Sequence, residues 1–267
     1  MQARKRFAQH FLEPAWVQKL VHAIAPEPDD VFIEIGPGRG ALTAALAARV
    51  RHITAIELDR DLVARLRDEL PANVDLIEAD VLQVDLHAAA RELAARGHRV
   101  RLVGNLPYNI SSPILRQITE LARQEAPVVD ATVMLQEEVA RRVCGHPDTR
   151  DWGPLSLGIQ LRAEARIVLA LPPGAFRPAP KVHSSVVRLR FRAPVADVGD
   201  ESAFDGVVRA IFGQRRKNLA NALKPIAHAH GLDPKVILAA ACLDERRRPE
   251  TLSIEEMARL TRRLAER

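Results

Sequence analysis

Cysteine is scarce in this 267-residue chain: Cys144 and Cys242 are its only two, far apart and outside any CxxC or Cys/His cluster. That argues against a disulfide framework or a zinc site and leaves both as expected small buried residues. No apolar run approaches the roughly 20 residues that a membrane span requires. The basic N-terminus, MQARKRFAQHFLEP, has no apolar stretch of the kind a signal peptide carries. A cytoplasmic location without membrane contact is the expectation. Internal repeats and low-complexity tracts are missing too. Aromatic residues make up 4% of the chain, and Tyr108 is the single tyrosine.

What is present is the composition of a globular protein, 47% hydrophobic and 27% charged. The length suits one large domain, or one of roughly 190 residues with a smaller companion. A formal charge of +5 favours an anionic partner. The basic residues gather in RKRF at 4–7, QRRK at 214–217 and ERRR at 245–248. Taken alone, each run reads as a solvated helix face.

From 31 to 135 short apolar runs alternate with helical patterns. VFIEI at 31–35, HITAIEL at 52–58, VDLIEA at 74–79, VRLVGN at 100–105 and VVDATVML at 128–135 read as strands. Helices are expected from Ala41 to about Val50, at 60–70 and at 86–97. Strands of this length alternating with helices predict βαβ units in a mostly parallel sheet, which binds ligands beyond the carboxyl ends of its strands. After Asp151 a helix at LSLGIQLRA is followed by two strands, ARIVLALPP and HSSVVRLRFR, with GAFRPAPKV between them. A linker at 193–202 leads to short helices expected to break at Pro225, at GLDP and at Pro249. The expected domains are 1–195, α/β and catalytic, and 196–267, helical.

EIGPGRG at 34–40 follows the first strand and opens the first helix, where glycines let a nucleotide approach the backbone. Gly36, Gly38 and Ala41 match a dinucleotide fingerprint, and Glu57 stands where a carboxylate would take ribose hydroxyls. That leaves NAD and S-adenosylmethionine both open. Glu34 beside the loop, where it would face a sulfonium-bearing end, and Asp80 after the third strand, where it would take an adenine amino group, favour the second. GNLPYNISSP at 104–113 points the same way.

Asn-Leu-Pro-Tyr suits a planar base carrying an exocyclic amine, a poor nucleophile because its lone pair is delocalised into the ring. The side-chain carbonyl of Asn105 and the backbone carbonyl of Leu106 supply two acceptors for that amine. Pro107 stiffens the turn, and Tyr108 offers a face on which an extruded base stacks. Phe176 is a candidate for the second face of a base sandwich, or a core residue. Methyl transfer here rests on positioning, with no metal and no covalent enzyme intermediate.

These residues resemble the ribosomal RNA adenine dimethyltransferases along nearly the whole chain. The similarity lies in RKRFAQHFL (4–12), EIGPGRGALT (34–43), IELDRDL (56–62), GNLPYNISSPIL (104–115), MLQEEVARR (134–142), FRPAPKVHSSVVRL (176–189) and FGQRRKNLANAL (212–223). The resemblance implies a Rossmann-like α/β methyltransferase domain with a mostly parallel seven-stranded sheet, followed by a small all-helical C-terminal domain. It implies that S-adenosylmethionine dimethylates two adjacent adenosines near the 3′ end of small-subunit (16S) ribosomal RNA, within a pre-assembled 30S particle, late in its assembly. Cofactor contacts carry over to His10, Leu12, Gly36, Glu57, Asp80 and Asn105, with Glu34 and Gly38 beside them. His10 stands where many relatives have asparagine, and Asn218 where threonine is frequent. RNA-backbone contact becomes the expected role of Arg4, Lys5 and Arg6 and of Arg215, Arg216 and Lys217, while 245–248 stays undecided. A monomer is expected. The competing readings are a large-subunit rRNA methyltransferase of the resistance type, a nucleic-acid-binding transcription factor relative, and a dehydrogenase.

Overall fold

The structure is a computed structural model and describes residues 10–265. In chain order its strands and helices are β1 (Phe11–Leu12), α1 (Pro14–Ile24), β2 (Asp30–Ile35), α2 (Ala41–Ala47), β3 (His52–Glu57), α3 (Arg60–Glu69) and β4 (Val74–Glu78). Next come α4 (Leu86–Ala95), β5 (Arg99–Asn105), α5 (Ser111–Arg123), β6 (Val128–Gln136), α6 (Glu137–Val143), α7 (Pro154–Gln160), β7 (Ala163–Leu171), β8 (Phe176–Arg177) and β9 (Ser184–Phe191). The chain ends in α8 (Glu201–Gly213), α9 (Leu219–Ala229), α10 (Pro234–Ala240) and α11 (Ile254–Ala265).

A seven-stranded sheet has the order β4-β3-β2-β5-β6-β9-β7. β2 runs parallel to β3 and β5, β3 to β4, and β5 to β6, while β9 is antiparallel to β6. Both faces of β2 are covered, so it reads as an almost unbroken apolar run, with Val31, Phe32, Ile33 and Ile35 at 2% exposure or less. The strand order reverses between β2 and β5. A crevice therefore opens beyond their carboxyl ends, where the chain leaves β2 as the glycine loop and β5 as Leu106-Pro107-Tyr108.

At the amino ends of the same strands a buried ion cluster holds the sheet. Arg101 of β5 uses all five of its N–H groups. It is bidentate to Asp130 of β6 at 2.8 Å, donates to Asp30 of β2 at 2.8 Å, and donates to the carbonyls of Ile24 and Ala25. A guanidinium at 3% exposure is tolerable only when paired in this way.

The chain divides into two compact units. The first holds the residues up to Ala140 together with Glu164–Arg192; the second holds Arg141–Ala163 and the residues from Ala193 onward. Residues 141–163 thus leave the α/β unit to which the sequence partition gave them. Trp152, Leu157 and Leu161 join Phe204, Leu223 and Leu252 in one apolar core, and the Trp152 indole N–H donates to the Leu252 carbonyl at 2.8 Å.

Two local expectations also change. Pro225 does not break a helix but lies inside α9, where Leu219, Ala222, Leu223 and Ala227 are buried. Tertiary packing there outweighs the roughly 3 kcal/mol penalty of an interior proline. Cys242 is exposed and Cys144 half-buried.

Candidate active site

A cavity of about 660 Å³ opens in the α/β unit at the reversal of strand order. Its floor is the glycine loop. Gly38 has φ +62°, a conformation that strains any other residue, and a Cβ there would stand 3.2 Å from the Phe11 ring, close enough that the ring would have to shift by a few tenths of an ångström. The N–H of Gly38 donates to Glu57 Oε2 at 3.0 Å, while Glu57 Oε1 accepts from the N–H groups of Leu58 and Asp59 at 2.9 Å each. Three backbone donors thus aim the Glu57 carboxylate, and Oε2 keeps one lone pair for a ligand hydroxyl. Burial raises the Glu57 pKa, and the three N–H groups oppose that rise. Gly36 lines the same wall, with φ +70° and its N–H on the Ile56 carbonyl at 2.9 Å.

Glu34, one residue before the end of β2, is 1% exposed and lines the cavity. Its Oε2 has no partner within hydrogen-bond distance among the described residues. Burial pushes its pKa up to about 7, the Thr43 side chain opposing the rise and the Glu57 charge adding to it. A cationic ligand group in the adjoining cavity would favour the ionised form of this buried carboxyl.

Asp80 caps the short turn Val81–Gln83 through Oδ1, which accepts the Leu82 N–H at 3.0 Å. The bland role of a turn cap is therefore real, yet Asp80 also lines the cavity with Oδ2 left over. That turn is fastened by a residue the sequence reading passed over. The Gln117 amide of α5 donates to the carbonyls of Val81 at 3.0 Å and Val84 at 2.8 Å.

On the opposite wall the Asn105 amide donates through Nδ2 to the His10 carbonyl at 2.8 Å. A carbonyl only accepts, so the NH₂ must face His10, and Oδ1 is presented as an acceptor with no partner among the described residues. His10 is itself held, its Nδ1–H on the Pro178 carbonyl at 2.8 Å and its ring stacked on Tyr108 at 5.4 Å between centroids. Leu106 lines the cavity and is 1% exposed as a whole. Pro107 starts the turn Tyr108–Ile110 that leads into α5. The half-buried Tyr108 phenol meets the Ser184 hydroxyl at 2.6 Å.

Phe176 is not brought to this wall. It is 3% exposed, packs with Leu171, Ala175 and Val186, and does not line the cavity. Its strand β8 pairs with β1, Leu12 opposite Phe176 and Phe11 opposite Arg177. Leu12 packs on the same apolar cluster as its partner Phe176, and Phe11 and Arg177, on the other face of the pair, line the cavity. The structure thus places Phe176 in the core, the other of its two readings.

The basic residues separate by their partners. Arg4, Lys5 and Arg6 lie outside the described residues. Arg216 and Lys217 are exposed. Arg215 instead ties the chain together, donating to the carbonyls of Arg150 at 2.8 Å and Thr149 at 3.0 Å. In the third run Arg247 is bound to both oxygens of Glu256, while Arg246 and Arg248 are exposed.

The cavity wall thus carries three acidic side chains, Glu34, Glu57 and Asp80, at or just after the ends of β2, β3 and β4. Comparison with known proteins gives the family. A family model described as ribosomal RNA adenine dimethylase matches residues 1–265. A ribosomal RNA small subunit methyltransferase A from Anaeromyxobacter dehalogenans is 43% identical over 99% of this chain and 94% of its own. Another protein of that name, from Chromobacterium violaceum, is 41% identical over 98% and 95%. Among solved structures, a dimethyladenosine transferase from Plasmodium falciparum shares the fold at a TM-score of 0.74 and 20% identity, over 94% of this chain and 96% of its own. The 23S rRNA methyltransferase ErmE does so at 0.69 and 27% identity, over 96% and 100%.

Proposed function

The chain belongs to the ribosomal RNA adenine dimethylase family, and from that premise we propose that it dimethylates two adjacent adenosines in the 3′-terminal hairpin loop of small-subunit (16S) ribosomal RNA. The methyl donor of the family is S-adenosylmethionine, which when bound supplies an electrophilic methyl group on a sulfonium. The small-subunit assignment is supported by relatives of that name at 41–43% identity over nearly the full chain, against 27% to ErmE. The reaction belongs late in assembly, on a pre-assembled 30S particle, and a monomer acting in the cytoplasm suffices for it.

One observation supports the chemistry most: Asn105, which lines the cavity, gives its NH₂ to the His10 carbonyl and so keeps Oδ1 as an acceptor. There Oδ1 accepts from the N6 amine of the flipped adenosine, and the Leu106 carbonyl is the second acceptor. Together they draw the nitrogen away from conjugation with the ring and aim its lone pair. Tyr108 stacks the base, a contact worth about 1–3 kcal/mol in such sites, and Pro107 fixes the turn between these groups. Across the cavity Glu57 holds the ribose, Asp80 the cofactor's adenine, and Glu34 the cationic amino-acid end; Gly36, Gly38 and Leu12 shape the wall. The rate gain expected of this arrangement comes from orientation and exclusion of water, not from a covalent enzyme intermediate. Arg216 and Lys217, with Arg4, Lys5 and Arg6, serve the RNA backbone.

The test is transfer of labelled methyl groups to small subunits from a strain lacking the modification, followed by digestion for dimethyladenosine. Label in small-subunit RNA is expected. Label in large-subunit RNA alone overturns the substrate assignment. Asn105→Ala is expected to abolish turnover while RNA binding persists, and full turnover in that variant overturns the role given to the amide.

A further inference from the structure

The phenol of Tyr108 lies 2.6 Å from the hydroxyl of Ser184, a residue 76 positions away and 1% exposed. Ser184 opens β9, and its place is set by the sheet. It sits opposite Gln136 of β6, and the Glu137 N–H donates to the carbonyl of the preceding residue, His183, at 3.0 Å. The Ser184 hydroxyl is therefore a fixed point. The Tyr108 ring is not fixed by burial, since it is half-exposed at the cavity wall.

We propose that Ser184 is a positioning residue for methyl transfer, holding the Tyr108 phenol so that the ring plane on which the target adenine stacks keeps one orientation. This rests on the reading of Tyr108 as the stacking platform. A tyrosine side chain turns about two torsions from a single backbone anchor. Here the turn begun by Pro107 anchors one end, the Ile110 N–H closing it on the Pro107 carbonyl at 3.1 Å. Ser184 anchors the other end, and the His10 ring, stacked at an interplanar angle of 28°, backs the ring. What the contact adds is a fixed ring plane. The adenine amine must stay within reach of Asn105 Oδ1 while the base lies on that plane, and small errors of placement are costly for in-line transfer.

The test compares Ser184→Ala, Tyr108→Phe and the double variant, because each single change removes the same hydrogen bond from one side. Ser184→Ala is expected to lower kcat roughly five- to tenfold, the size of one neutral hydrogen bond, with KM for S-adenosylmethionine unchanged. Tyr108→Phe should match it, the double variant should be no worse than either, and Ser184→Thr should recover most of the rate. Tyr108 is the only tyrosine, so tyrosinate absorbance reads this phenol alone. Burial raises its pKa and the Ser184 contact lowers it, so Ser184→Ala should move its titration to higher pH. Unchanged kcat in both single variants, multiplicative losses in the double variant, or an unmoved phenol titration each overturn the proposal. Should Ser184→Ala fail to fold, Tyr108→Phe and Ser184→Thr still decide it. Tyr108→Leu separates the two levels. If it turns over normally, the stacking reading itself fails; if it is inactive while Tyr108→Phe is unimpaired, only the role of Ser184 fails.

Discussion

At the amino ends of β2, β5 and β6, Arg101 meets Asp30 and Asp130 and spends every donor it has. At the carboxyl ends of β2 and β3, Glu34 and Glu57 share one wall, and Glu34 keeps a buried oxygen with no partner within hydrogen-bond distance among the described residues. β2 carries a member of each cluster, Asp30 at one end and Glu34 at the other, and both clusters are buried to a similar degree. A charge closed upon itself contributes to the stability and uniqueness of the fold, whereas a charge left open costs stability and reserves that free energy for a ligand of opposite sign.

The largest effect expected from this contrast is at the closed end. Asp130→Ala strips Arg101 of its bidentate partner and leaves a buried guanidinium short of charge, which should cost about 3–5 kcal/mol in denaturant unfolding. The folded fraction should bind S-adenosylmethionine as before, since the site lies at the other end of the strands. A loss under 1 kcal/mol would mean the cluster is not what holds the sheet.

Glu34→Gln should act in the opposite sense. An acid whose pKa rises on folding, here from 4.5 to about 7, holds its proton in the folded state through that window while the unfolded chain has lost it. The folded state then binds more protons, so stability falls as pH rises from 4.5 to about 7 and stays low above it. The glutamine variant should lose this slope and be more stable above neutrality, by up to about 3 kcal/mol. It should also bind the cofactor more weakly. In the unaltered protein a cationic ligand needs the ionised carboxylate, so calorimetric affinity should rise with pH through about 7. A variant with unchanged affinity and an unchanged pH slope would break the comparison.

Gln117→Leu tests the frame rather than the charge. Without its amide, the turn carrying Asp80 loses two hydrogen bonds to α5. KM for S-adenosylmethionine should rise roughly five- to tenfold, as expected for losing about one net hydrogen bond, with kcat little changed. A fall in kcat alone would place the effect elsewhere.

How much of this was legible in the sequence follows from sequence distance. The five parallel strands, the glycine loop and the acids at strand ends are local patterns, and each fell within a residue or so of its observed place. The Asn105 and Tyr108 pair was legible as a local motif, and both line the cavity, but the contacts that hold them were not. His10 and Ser184 reach it across 95 and 76 residues, and no periodicity reports such contacts. Phe176 stayed open between stacking face and core for the same reason, since the cluster that buries it includes residues of β1 and β9 far from it in sequence. Trp152 reaches Leu252 across 100 residues, so the departure of 141–163 from the α/β unit had no local sign.

The basic run at 215–217 repeats the contrast between closed and open charge on a smaller scale. Arg215 donates to two backbone carbonyls, so Arg215→Ala should lower the stability of the helical unit by about 1–2 kcal/mol. Lys217 is exposed, and Lys217→Ala should leave stability within about 0.5 kcal/mol. Its effect should appear in RNA binding instead: each lost phosphate contact reduces the slope of log affinity against log salt by about one. If Lys217→Ala left that slope intact while Arg215→Ala lowered it without loss of stability, the open and closed roles would be reversed. The phosphate contact would then belong to the residue that the structure ties to its own backbone.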